Sequence, residues 1–361
     1  MSYNLKTYCF LLFICLSVAS IKGQPAENVS GKIKGKSPNG NWHFQMVMQN
    51  NSQKYQAMKK NMLGILSVIT SVPVVNAPKG FDVDPFLSIS SDLNSSSPNG
   101  DYTPVRASFD LSCFNYHKNE SSGKILRAEE SHSGMNVIAN DLSSFYGNTF
   151  KQDCMDTKTV FFFTGFPVDS SNKNYLIIKN SRVLRKNLKT LFVSVTKNEY
   201  LRFLIKKENL IKQNFQNNLE DLNNLKNLNS PDADKAVKQN EKYISSVNLL
   251  INQYNSELSA SEKDNKNEPS YVENLLNDNK LSADQSVYEY PYQLVTQQSK
   301  NSTALWKINP DYFDTSLPES SVQVLILNYH SSNFCPPFMK QRLKDWFHQI
   351  DYSKLDNLIS K

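Results

Sequence analysis

The sequence predicts an α+β protein: a mainly antiparallel sheet covered by helices, with a long antiparallel helical hairpin inserted into it. Three observations predict this class. First, residues 105–116 alternate strictly. Ala107, Phe109, Leu111 and Cys113 fall on one face, and Arg106, Ser108, Asp110 and Ser112 on the other. A period of two with one apolar face marks a half-buried strand of an antiparallel sheet. Second, two heptad seams follow one another. Leu201, Leu204, Ile211, Phe215, Leu222 and Leu225 form the first, breached by Glu208 and Asn218. Val237, Ile244, Val247, Ile251, Tyr254 and Leu258 form the second. Between them Asn229-Ser230-Pro231 stops one helix and restarts another, so the seams close on each other, each arm roughly 45 Å long. Third, amphipathic helices are predicted over 42–71 and 337–358, placed to cover the sheet.

The elements follow in chain order. Residues 1–23 have the parts of a cleavable secretory signal: Lys6, then the uncharged run YCFLLFICLSV over 8–18, then small residues at Ala19, Ser20 and Gly23. The run falls short of the roughly 20 apolar residues that span a bilayer. A secreted or periplasmic, cell-envelope protein is expected, with no transmembrane segment after signal cleavage. Residues 24–40 are polar and read as a flexible leader. In the helix over 42–71, Met58, Met62, Ile65, Leu66 and Ile69 recur at steps of three and four, and Pro73 ends it.

From residue 80 to 195 β-branched and aromatic runs alternate with turn residues. Strands are predicted over 81–89, 105–116, 124–130, 135–139, 160–168 and 175–178. The segment 90–101 reads as an exposed loop and 169–174 as a hairpin loop. A short strand over 191–195 leads into a capping box, in which the Thr196 hydroxyl caps an early amide and Glu199 reaches back to the cap amide. The hairpin occupies 196–262. A polar loop, 263–286, follows, with one short helix at 271–276. Strands are predicted at 304–308 and 322–329. The second (VQVLILNY) is nearly all apolar and therefore central. Pro336-Pro337 opens the last helix, with Met339, Leu343, Trp346, Phe347 and Ile350 as its buried face. Residues 41–195 and 287–361 together make one discontinuous α+β domain.

The formal charge is +6. Loss of Lys6 and Lys22 with the signal leaves about +4, thinly spread. The densest basic stretch, 179–189 (KNSRVLRKNLK), reads as a solvated turn between two strands. With no continuous basic face, nucleic acid is not an expected partner. Cys113, Cys154 and Cys335 remain after the signal, an odd number, so at most one bridge can form. Cys113–Cys154 is the expected pair if one does, and three buried thiols are the alternative.

No GxSxG, GxGxxG or GxxxxGK[ST] occurs, no two histidines lie four apart, and no CxxC is present. No metal or cofactor is expected. The residues that could carry acid–base chemistry are His117, Glu129 and His132, clustered around one strand, and His330, with Cys335 close by in sequence. Asp82 and Asp84 are two carboxylates that could meet a cation.

Residues 191–201 (LFVSVTKNEYL), and Asn309-Pro310-Asp311-Tyr312-Phe313-Asp314 followed by Ser316-Leu317-Pro318 and an apolar strand, resemble segments of uncharacterised secreted proteins of Bacteroidota. The resemblance implies an envelope address and assigns no catalytic residue. Physically, these segments start a helix and fix turns around an aromatic plug, Tyr312 and Phe313. Two functions stay open: a non-catalytic envelope protein whose hairpin binds a protein partner, and a secreted hydrolase whose site is assembled from distant residues. A scaffold element of a secretion or gliding apparatus is a variant of the first.

Overall fold

The computed structural model describes residues 24–37, 41–90, 104–142, 145, 152–153, 160–163, 168–171, 175–178, 180–186, 189–227, 233–263, 271–274, 292–295 and 302–359. The signal-like segment, the loop over 91–101 and the Ser230-Pro231 cap lie outside them. In chain order the first elements are β1 (Gln24–Pro25), β2 (Gln45–Met48), α1 (Gln53–Ile69), α2 (Pro73–Asn76), β3 (Phe81–Ser90), β4 (Arg106–Lys118), β5 (Ile125–Arg127) and β6 (Ser133–Ala139). Next come β7 (Gln152–Asp153), β8 (Val160–Phe163), β9 (Val168–Ser171), β10 (Leu176–Ile178), β11 (Ser181–Arg185) and β12 (Phe192–Ser194). The chain continues with α3 (Lys197–Asn227), α4 (Ala233–Lys263), β13 (Tyr271–Asn274), β14 (Tyr292–Val295), β15 (Ser302–Ile308), β16 (Val324–Ser331), α5 (Pro337–Gln349) and α6 (Tyr352–Asn357).

The described strands form two sheets. The larger runs β2-β3-β4-β6-β16-β11-β10-β9, with β1 and β5 added to the end of β4. Among the described residues only the β2–β3 pair in it is parallel. The smaller runs β14-β13-β15-β8-β7, with β12 also on β15. β4 alternates as predicted: Ala107, Phe109, Leu111 and Cys113 are at most 4 % exposed and line the main core. β16 is central, between β6 and β11, and buries Val324 to Leu327 on both faces.

One face of the large sheet is covered by α1, α2, α5 and α6. Tyr55, Met58, Met62, Ile65, Leu66 and Ile69 of α1 pack with Met339, Leu343, Trp346 and Phe347 of α5 over Leu87, Phe109, Leu111, Val137 and Leu325. The Trp346 indole donates to the Ile69 carbonyl at 2.9 Å, joining the two covering helices at the end of α1. On the opposite face Val183, Val324 and Ile326 meet Leu142, Phe145, Leu191 and Tyr312. This second core fastens the root of the small sheet to the back of the large one. Tyr312 is fully buried, edge-on to Phe313 at 5.2 Å, and so serves as the predicted plug.

Several expectations need correction. The helix expected over 42–71 starts only at Gln53, and β2 precedes it. Trp42, Phe44, Met46 and Met48, spaced by two, all turn toward the main core. The leader is not free where described. β1 pairs with β4, Ile33 bridges to Val83 in parallel, and Gly31 passes so close that an added Cβ would lie 1.7 Å from the Phe81 carbonyl oxygen. The strand expected over 160–168 is two strands in different sheets, β8 and β9. The helix expected at 271–276 is instead β13, within the segment read as a polar loop. The final helix breaks at Ile350, because Asp351 caps a new one, accepting from the Lys354 amide at 3.0 Å. The basic stretch over 179–189 contains strand β11, and its Arg182 is 9 % exposed. Cys113 and Cys335 are free, buried thiols, so Cys113 makes no bridge to Cys154, which itself lies outside the described residues.

Candidate functional site: the helical arm

The two helices of the hairpin have 31 residues each, about 46 Å at 1.5 Å per residue. The Thr196 hydroxyl caps α3, accepting from the Glu199 amide at 3.3 Å. The Glu199 carboxylate does not reach back to the cap; it pairs with Lys307 of β15. The first turns of α3 are anchored, with Tyr200, Leu201, Phe203 and Leu204 at most 7 % exposed. Beyond them burial is uneven: Glu208 on α3 and Ala233, Val237 and Val247 on α4 are buried. Ile211, Phe215, Leu219 and Leu222 on α3, with Ile244, Ile251, Tyr254 and Leu258 on α4, are only half-buried. Phe215 and Tyr243 stack across the pair at 5.1 Å, and Leu249 stands 71 % exposed. Two helices have one shared seam, so an isolated pair leaves the flanks of that seam wet.

The arm leaves the sheet in an unusual way. Residues Phe192–Ser194 pair with Ile308–Trp306 of β15, and the Val195 amide continues the ladder to the Leu305 carbonyl at 2.9 Å. The next position along that same edge of β15 is Ala304, and its partner is Tyr271. β12 and β13 thus occupy one lane, interrupted between Val195 and Tyr271 by the whole arm. The sequence held no sign of this, because it depends on the register of strands far apart in the chain.

The candidate catalytic residues do not all converge: His132 lies beside the end of β16 that carries His330, its carbonyl accepting from the Ser332 amide at 2.8 Å, but His117 is apart from both. His117 of β4 points to the helix-covered face; it is 9 % exposed and its Nε2 has no hydrogen-bond partner. His330 of β16 lies opposite Gly134 on the other face and is exposed. The parity of antiparallel strands separates the two. His132 sits at the end of the sheet, tilted against the Phe334 ring at 5.8 Å. Glu129 is exposed in the turn between β5 and β6. Burial pushes the Cys335 thiol up, the opposite of what a thiolate nucleophile needs.

No family model, curated protein or solved structure matches this chain.

Asp82 and Asp84 are occupied by the protein itself. Asp82 accepts from the Lys32 amide at 2.8 Å and the Tyr116 hydroxyl at 3.0 Å, and pairs with Arg127 at 3.2 Å. Asp84 pairs with Arg127 at 2.8 Å and Lys34 at 3.4 Å. The two carboxylates hold the N-terminal strap and β5 against the sheet, rather than waiting for a cation. Among the described residues no group of three or more histidine, cysteine, aspartate or glutamate side chains could hold a metal ion, and no helix is long and apolar enough to cross a membrane.

Proposed function

We propose that this chain is an exported, non-catalytic protein of the cell envelope that holds a partner protein with its α3–α4 arm. The observation that carries the reading is the run of half-buried apolar positions along the arm, Ile211, Phe215, Leu219 and Leu222 on α3 with Ile244, Ile251 and Tyr254 on α4, and the exposed Leu249. Uncovered apolar positions along a regular helix pair are the surface on which a further helix packs, extending the knobs-into-holes pattern. The signal-like residues 1–23 and the resemblance of 191–201 and 309–318 to secreted Bacteroidota proteins support the address. The separation of His117 from His330 removes support from the hydrolase reading.

The strand lane supplies the test. A variant in which Val195 is joined directly to Tyr271 places consecutive residues opposite Leu305 and Ala304, so β15 keeps its edge partner. Affinity capture from the native envelope is done with 24–361 and with this armless variant. One partner held by the full protein and lost by a still cooperatively folded armless protein is the expected result. Equal capture by both would overturn the proposal.

A further inference from the structure

The first seam of the hairpin carries a carboxylate where the pattern calls for a hydrophobe. Leu201, Leu204, Glu208, Ile211 and Phe215 recur at three and four, so Glu208 occupies a core position of the helix pair. It is 2 % exposed, and it is the outermost fully buried residue of α3 among those described. Beyond it the described apolar seam positions of α3, Ile211, Phe215 and Leu222, are half-buried. The ion partner of Glu208 is its own neighbour Lys207, at 3.6 Å. Across the seam on α4 it meets Tyr254, whose phenol is pushed up to about 12 by burial, by Glu208 and by Glu257. No cation faces it from α4 among the groups that perturb it. An ionised carboxylate in such a place costs free energy that one lysine at that distance, itself partly in water, does not offset; a neutral carboxyl does not carry that cost.

We propose that Glu208 makes the root of the arm a pH-sensitive joint: stiff while its carboxyl is neutral, loosened when it ionises. Burial raises the Glu208 carboxyl above its ordinary value, against a smaller opposing pull from Lys207. The folded arm thus holds a proton that the opened arm releases. The penalty is absent below the ordinary glutamate range, grows as pH rises through it and levels off above the raised value. The arm is tightest in acid. The surface pairs at the root, Arg202–Glu262 and Lys307–Glu199, are common to every variant compared, so they cancel in the ratio of wild type to variant. The proposal adds regulation to the arm read above as the binding element. Its test follows the arm and not the partner, so the two can fail separately.

The experiment is amide hydrogen exchange across 204–215 in the full chain, corrected for intrinsic rates, at about pH 5 and about pH 8. Wild type is compared with Glu208→Gln and, as a variant that restores the apolar seam, Glu208→Leu. The ratio of wild-type to variant protection should fall as pH rises, roughly tenfold for each full unit by which folding displaces the carboxyl. A ratio to either variant that is the same at both pH values would overturn the proposal. If the glutamine variant does not fold, the leucine ratio decides alone.

Discussion

The guanidinium of Arg182 lies over three rings, Tyr175 at 4.8 Å, Phe347 at 4.3 Å and Tyr352 at 4.6 Å, and donates to the Phe347 carbonyl at 2.8 Å. It riveted the C-terminal helices to β11, and a flat, delocalised cation suits the stack better than an ammonium. Arg182→Ala should cost about 2–4 kcal/mol in urea unfolding, and Arg182→Lys should recover only part of that. Asn140 is a second such residue. Its φ of 58° lies in the left-handed region that asparagine tolerates. Its side chain donates to the Val105 and Ser321 carbonyls, at 3.0 and 2.7 Å, and accepts from the Gln323 and Val324 amides, at 2.8 and 3.3 Å. Asn140→Gly keeps the backbone but strands these buried groups, so a loss of about 3 kcal/mol is expected by the same measurement. Asn140→Asp should also lose stability, because a carboxylate cannot donate to the two carbonyls.

At the scale of elements, Thr196→Ala removes the cap of α3 and should cost about 1 kcal/mol, read as faster exchange in the first turn of that helix. Arg127→Ala leaves Asp82 buried with one ion partner fewer, and should raise protease cleavage within 24–36 before the rest of the protein yields. Legibility at this scale followed locality. The hairpin was readable because its seams repeat within each helix, and β4 because its alternation spans a dozen residues. β2 was misread although Trp42, Phe44, Met46 and Met48 carry a period of two, because the helical spacing of Met58, Met62, Ile65 and Ile69 farther along was carried back over the segment before it. β13 was read as helix because a four-residue strand leaves too few positions to show a period. Which of Glu129, His117, His132 and His330 share a face is a question of strand register, on which spacing in sequence is silent.

At the scale of the molecule, the large sheet carries its helices on one side and the small sheet on the other. The joint between sheets rests on Leu191, Tyr312, Val324 and their neighbours. Tyr312→Ala should therefore uncouple the sheets, splitting a single thermal transition into two, with a loss of about 3–5 kcal/mol overall. The armless variant should keep one transition, because it removes nothing from either core.

The single lane formed by β12 and β13 makes the arm a gauge of adjustable length. Its two ends return to adjacent places on β15 whatever lies between, so insertion of seven residues into each helix keeps both seams in phase and extends the reach by about 10 Å. A partner gripped at the tip would then be held farther from the sheet by that distance, measurable by placing one probe at Ala233, the tip end of α4, and another on β16. Unmatched insertions would shift one seam past the other and should shorten the paired length instead.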